Sequence, residues 1–144
     1  MPVNFSIEDI RILSSHYSIN PISSKEGEKQ TSEPKDNAEG IQVETTLQCN
    51  THYEEKERSL KVILRCIIGG APGPYSLEVE MGGAFKLDSD PSEEELDSLR
   101  HINCPAMIFP YLREYVSELT KRAGYAPLYL PPVNFVKAHK ENKS

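Results

Sequence analysis

Three stretches in the middle of this chain alternate apolar and polar residues with a period of two, and nothing else in it limits the possible folds as strongly. In the first, Ile41, Val43, Thr45, Leu47 and Cys49 fall on one side, with Gln42, Glu44, Thr46 and Gln48 on the other. In the second, Leu60, Val62, Leu64, Cys66 and Ile68 alternate with Lys61, Ile63, Arg65 and Ile67. In the third, within Tyr75 to Leu87, Leu77, Val79 and Met81 alternate with Ser76, Glu78 and Glu80. Successive Cβ atoms of a strand point to opposite faces, so each stretch predicts a strand with one face against a core. The second is apolar on both sides, which predicts that part of its other face is covered as well. Gly69-Gly70 and Pro72-Gly73-Pro74 mark the turn into the third stretch. Gly82-Gly83 interrupts that stretch as a bulge, a bend or a close backbone approach would.

Upstream, Phe5 to Ile19 carries the alternating pairs Ile10/Ile12 and Tyr17/Ile19. A strand with a bulge near Leu13-Ser14 fits them, a short helix over Ser6 to Ile12 being the competing reading. Pro21 to Gly40 is polar, with Ile22 almost its only large apolar side chain. It cannot bury enough surface to offset its ordering entropy, so a mobile loop is expected there.

Downstream the period changes. Asp90-Pro91-Ser92-Glu93 predicts a helix start, with Asp90 as N-cap, Pro91 at the first helical position and Glu93 completing a capping box. That helix should end near His101, with a second start at Cys104-Pro105 or Phe109-Pro110, because proline is tolerated in a helix's first turn. Leu112, Tyr115, Val116 and Leu119 then recur at helical spacing, and Gly124 suits the C-terminal cap. Pro127, Pro131 and Pro132 exclude regular structure before Val133. A short helix follows, with a flexible tail after about residue 138. Strands followed by helices, without βαβ alternation, predict one α+β domain over residues 1–144, its antiparallel sheet a four-stranded meander.

The totals narrow the function classes. A net charge of −6 argues against nucleic acid, which needs clustered Lys and Arg. The same charge suits a soluble protein that presents an apolar surface, or one that docks on a basic partner. Cys49, Cys66 and Cys104 are odd in number and widely spaced, which predicts buried thiols in a reducing cytosol rather than a disulfide framework. No stretch is apolar enough to span a bilayer or to form a signal-peptide core, so a cytoplasmic location is expected. His101 and Cys104 have a spacing that zinc could use, but no second ligand pair lies near in sequence, and Cys49 and His52 are equally isolated. No glycine-rich phosphate loop or nucleophile elbow is present. The expectation is no metal, no cofactor and no catalysis.

Three blocks point further. Cys104-Pro-Ala-Met-Ile-Phe-Pro-Tyr-Leu-Arg-Glu114 resembles the Cys-Pro-x-x-x-Phe-Pro-Tyr-x-Arg-Glu block of the SecB protein-export chaperones. Leu130-Pro-Pro-Val-Asn-Phe135 resembles that family's Pro-Val-Asn-Phe signature, and Glu78-Val79-x-x-Gly82-Gly83-x-Phe85 resembles its Glu-Val-x-x-Gly-Gly-x-Phe strand. The resemblance implies a SecB-like fold, a four-stranded antiparallel sheet with a long and a short helix. It also implies a dimer of dimers in which first strands pair across protomers and the long helices are sandwiched between sheets. It implies a homotetrameric, non-catalytic cytoplasmic chaperone that holds unfolded precursor polypeptides export-competent and delivers them to the SecA ATPase. A SecB-like guardian of an antitoxin, without SecA delivery, is the alternative.

On this resemblance Glu78, Glu80 and Ser76 are expected on a SecA-docking face, though alternating charge is also what a solvated strand face carries. Tyr111, Leu112, Tyr115, Val116 and Leu119 are expected at the oligomer interface, with Arg113 and Glu114 forming ion pairs within the chain or between protomers. Ile41, Val43, Leu64, Phe85, Leu128, Leu130 and Phe135 are expected to line the client groove. The chain departs from the family's pattern in three places. Pro21 to Gly40 has no aromatic residue, the usual acidic positions of the first strand fall near His16 and Asn20, and the extension beyond Phe135 is short.

Overall fold

The computed structural model describes residues 3–20, 44–69 and 73–143. Four strands, β1 (Phe5–Ile19), β2 (Thr45–Glu54), β3 (Ser59–Gly69) and β4 (Tyr75–Leu87), form one antiparallel sheet. The helices α1 (Glu93–Ser98), α2 (Cys104–Arg122) and α3 (Phe135–Lys143) follow, with a π-helical turn over Leu99–Asn103 joining α1 to α2.

The order across the sheet is β1-β4-β3-β2, so the meander holds only for β2, β3 and β4. β1 lies beside β4 on the far edge, which corrects the expectation of a simple four-stranded meander. A hairpin needs a short turn, and β1 is separated from β2 by a long connection that leaves it free to join the opposite edge. The polar stretch expected as a mobile loop, and Ile41 and Val43, lie outside the described residues. β2 runs on past Cys49 to Glu54, because Thr51 and Tyr53 keep the period of two.

The bulges sit on β1. Its register against β4 shifts between Ile7 and Asp9 and again between Ile12 and Ser14, the second where Leu13-Ser14 was expected to bulge. β4 itself is unbroken through Gly82 and Gly83. The two glycines mark close approach: a Cβ on Gly83 would lie 2.9 Å from Ile108 Cδ1, and one on Gly82 would lie 2.9 Å from Leu13 Cδ1. Leu13, displaced by the bulge, folds over the outer face of the sheet at the point where β4 has no side chain.

The core lies between the inner sheet face and α2. Leu60, Val62, Leu64, Cys66 and Ile68 of β3 and Leu77, Val79, Met81 and Phe85 of β4 are all buried. α2 answers with Cys104, Ile108, Leu112, Val116 and Thr120, one residue every fourth position and therefore one stripe of the helix.

The helix boundaries differ from the expectation. Ser92, not Asp90, is the N-cap: its side chain accepts the Glu95 N–H at 3.1 Å, while Glu95 Oε1 accepts the Ser92 N–H at 2.9 Å. Asp90 instead pairs with Arg58 at 2.9 Å, which holds its carboxyl below the usual carboxylate range. The long helix does start at Cys104-Pro105, as expected, but follows the π turn without a break. The Cys104 N–H donates to the carbonyl five residues back, at Leu99, so the π turn changes the bonding register just where Pro105 has no N–H to donate. Pro110 sits inside α2, on its exposed side. At the far end Gly124 adopts φ +97, and the Tyr125 N–H reaches Thr120 O while the Gly124 N–H reaches Lys121 O, both at 3.0 Å. This pair of bonds is a Schellman cap and turns the chain sharply back along α2.

Candidate functional site

Among the described residues, three surfaces stand out for binding, and each is positioned by local chemistry. The first is a cleft of about 490 Å³ between α2 and the segment that returns along it. Phe109, Pro110 and Arg113 of α2 form one wall, and Tyr129, Val133 and Phe135 form the other. Phe109 and Phe135 meet edge to face, ring centroids 5.9 Å apart. The returning segment has no regular structure, so α2 side chains hold it. Arg113 Nε donates to Leu130 O at 2.7 Å, and its guanidinium lies 5.9 Å from the centre of the Tyr129 ring. The Thr120 hydroxyl accepts the Leu128 N–H at 2.9 Å. Asn134 then starts α3, its side-chain oxygen accepting the Lys137 N–H at 3.0 Å. The Pro-Pro-Val-Asn-Phe block therefore stops regular structure, caps a helix and supplies two apolar groups to the cleft.

The second surface is a depression of about 340 Å³ between β1 and α2, with Ile10, Ile12, Met81, Tyr111 and Tyr115 lining it and the charged Arg11, Glu114 and Glu118 among them. Ile12 is 41% exposed and Tyr111 51%, a large apolar exposure for neighbouring residues. Ser15 and Tyr115 hydroxyls meet at 2.8 Å across it.

The third is the outer sheet face. Glu78 and Glu80 stand there on β4, each paired with its β3 neighbour: Ile67 lies opposite Glu78 and Arg65 opposite Glu80. The Arg65 guanidinium makes an ion pair with Glu78 and lies 3.9 Å from Glu80, with Gln48 of β2 at 3.5 Å. His16 of β1 is opposite Glu78. Ser76 donates to Asn20 Oδ1 at 2.9 Å and pins the end of β1. Arg65, which the sequence placed only on a strand face, thus offsets one of the two acidic charges.

Several expectations need correction. Leu112 and Val116 are wholly buried against the chain's own sheet, so they offer nothing to a partner; Tyr111 is exposed, and Tyr115 and Leu119 are half-buried. The helical stripe was read correctly, but its centre is used internally because a single sheet face must be covered within the chain. Likewise Leu64, Phe85 and Leu130 are core residues and Leu128 is half-buried against that core, so of this set Phe135 alone lines the cleft. Within the chain, Arg113 serves a carbonyl and a ring. The tail is helical to Lys143 rather than free after residue 138.

Two features escaped sequence reading. Tyr129 is 62% exposed at the cleft mouth, and its flanking prolines were the available signal. His139 stacks on His101, ring centroids 4.7 Å apart, and its Nε2 lies 2.8 Å from Asp97 Oδ2. No local pattern announces a contact between residues so far apart in the chain. Among the described residues no group of three or more His, Cys, Asp or Glu side chains is arranged to hold a metal ion. Burial pushes the Cys66 thiol up to about 11 and Cys104 up to about 12, so neither is a ready nucleophile.

The sequence profile described as "Preprotein translocase subunit SecB" matches residues 5–144. The chain belongs to the SecB family. "Protein-export protein SecB" of Azoarcus is 34% identical over 105 residues, covering 72% of this chain and 69% of that protein. The protein of the same name from Acidithiobacillus ferrooxidans is 43% identical over 61 residues, 42% of this chain and 40% of that one. The chain therefore spans about two fifths of the length of the curated relatives it matches first. Among solved structures, a Mycobacterium tuberculosis SecB-like chaperone, determined in complex with a peptide from the HigA1 antitoxin, superposes with TM-score 0.67. It covers 90% of each chain at 22% identity, so the likeness is one of fold. The four-stranded antiparallel sheet followed by a long and a short helix is thus a SecB fold. No helix among the described residues is long and apolar enough to cross a membrane.

Proposed function

We propose that this chain is a non-enzymatic chaperone that holds unfolded precursor polypeptides export-competent in the cytoplasm, as a homotetramer, for delivery to SecA. The cleft between α2 and the returning segment carries the reading. Phe109, Val133 and Phe135 give it apolar walls, Tyr129 an exposed aromatic lip, and Arg113 a cation held in one wall by its bond to Leu130 O. Such a surface gains affinity by burying apolar side chains and discriminates little between sequences, which is what holding many clients requires. Membership of the SecB family supports the reading.

Tetramer formation rests on the second surface: Ile12 and Tyr111 are exposed apolar groups beside Tyr115, rimmed by Arg11, Glu114 and Glu118, which a second copy would cover; Leu119, half-buried on the same helix, belongs to the proposed interface. SecA docking rests on Glu78 and Glu80, with Ser76 at the rim. The pairing of both carboxylates with Arg65 favours a second reading, an antitoxin-holding chaperone of the same fold that does not use SecA.

The test is refolding of a chemically unfolded exported precursor with and without the purified protein. Slowed refolding is expected, with Tyr129→Asp weakening client retention about tenfold through loss of a partly exposed aromatic contact. Unchanged refolding kinetics would remove the chaperone reading. Capture of SecA on the same material separates export from antitoxin guarding, and a monodisperse monomer in light scattering would refute the tetramer.

A further inference from the structure

α3 is nine residues long, too short to be stable as an isolated helix, so its place is set by what it touches. Its inward stripe is Phe135 and His139, four residues apart, while Val136, Lys137, Ala138 and Lys140 are exposed. Phe135 meets Phe109 edge to face and lines the cleft. One turn on, His139 lies nearly parallel to His101 of the π-helical turn, ring centroids 4.7 Å apart and planes inclined by 14°. Its Nε2 is 2.8 Å from Asp97 Oδ2 of α1, and a carboxylate only accepts, so that nitrogen carries the proton. Asp97 and His101 are four residues apart on one side of the joined helices, with His101 Nε2 3.7 Å from Asp97 Oδ1. One carboxylate therefore faces both rings. The His139 side chain is only 14% exposed, and α3 rests chiefly on this turn. The Asn134 cap fixes the start of the helix and leaves its far half to His139.

We infer that His139 is a positioning residue for the cleft: through Asp97 and His101 it holds α3 on the π-helical turn, and α3 holds Phe135 against Phe109. The inference rests on the client reading of the cleft and deepens it, because it names what keeps one apolar wall in place. With α3 docked, Phe135 is a preformed surface. With α3 undocked, Phe135 sits on a short segment that each client must order again, and that ordering is subtracted from the affinity. Client retention therefore falls by the fraction of molecules in which α3 is docked. His139 touches no client itself; it acts through Phe135, one helical turn away.

The experiment uses the full-length protein with His139→Leu, His139→Phe and His139→Gln, each checked for folding by circular dichroism. Amide exchange at Ala138, whose N–H donates to Asn134 O, reads the docking of α3. Dissociation of a dye-labelled, chemically unfolded exported precursor reads the cleft. His139→Leu should speed exchange at Ala138 and release the precursor about three- to tenfold faster. His139→Gln offers Asp97 an amide N–H and should recover part of both effects, which loss of packing alone would not allow. Equal release by the Leu and Gln variants would overturn the proposal, since Asp97 would not be its agent. Unchanged exchange and release in His139→Leu would overturn it as well. Faster exchange with unchanged release, while Tyr129→Asp still weakens retention, overturns it and leaves the client reading standing. A parent that retains no precursor refutes the client reading and takes the inference with it. Should His139→Leu unfold, His139→Phe carries the test: it keeps a ring on His101 and loses the bond. A smaller rise in release is expected from it, and its absence overturns the proposal.

Discussion

Replacing Gly82 and Gly83 one at a time by alanine tests the packing of the two sheet faces with the same chemical change on adjacent residues. The added Cβ meets its nearest atom at 2.9 Å in both cases. On the outer face that atom is the tip of Leu13, a side chain 47% exposed that can swing into solvent. On the inner face the neighbours are Ile108 and Phe85, both fully buried, with two contacts at 2.9 Å and a third at 3.0 Å. Alanine in a strand interior recovers about 0.5–1 kcal/mol over glycine by reducing the freedom of the unfolded chain. Leu13 gives up part of a contact in moving, so Gly82→Ala should be neutral or stabilising by up to about 0.5 kcal/mol. Overpacking a core that cannot relax costs about 1–3 kcal/mol. Gly83→Ala should therefore be destabilising by about 1–2 kcal/mol after the same entropic gain. The two variants should differ by about 2 kcal/mol, or roughly 1 M in urea midpoint for a slope of about 2 kcal/mol/M. Urea unfolding followed by circular dichroism at one fixed protein concentration reads this difference, the fixed concentration keeping any assembly equilibrium constant. A Gly83→Ala protein as stable as Gly82→Ala would refute the assignment of α2 to this face of β4.

Two further outcomes follow from named groups. Thr120→Val keeps the shape of a buried side chain but removes the acceptor of the Leu128 N–H, so a loss of about 1–2 kcal/mol is expected in urea unfolding, together with faster amide exchange at Leu128. Thr120→Ser should retain the slow exchange; equal exchange in all three proteins would show that the bond does not hold the returning segment. The raised thiols of Cys66 and Cys104 stay protonated in the folded protein while ordinary thiols ionise in the unfolded chain. Their contribution is thus fully present below the ordinary thiol range near pH 8.5 and is lost as pH rises toward about 11 and 12. Replacing both by alanine should flatten the alkaline fall in stability, and an unchanged alkaline slope would assign it elsewhere.

Much of the candidate site was open to sequence reading in kind but not in position. The stripe on α2 is spaced for a helix, yet the spacing does not say whether the chain's own sheet or a second copy covers each residue. Leu112 and Val116 went to the sheet because the single inner face of β3 and β4 lies directly beneath them, while Tyr111, one residue away, turned outward. The first helix start was misplaced for a related reason. Asp90 and Ser92 both suit an N-cap, and the choice was made by Arg58, which took the aspartate from another turn of the chain.

The sequence by itself determined the elements: strand period, helical stripe, glycine cap and proline stops are imposed by the directions of Cβ atoms and by local backbone sterics. The three matched blocks placed the chain in its family on the same local basis. What only the tertiary structure decided were the meetings of distant residues. Arg65 faces Glu78 and Glu80 through the register of β3 on β4, His139 rests on His101 through the docking of α3, and β1 takes the edge beside β4 through a long connection. Register and docking come from burying one shared apolar face, and that balance is struck over the whole domain rather than within any segment.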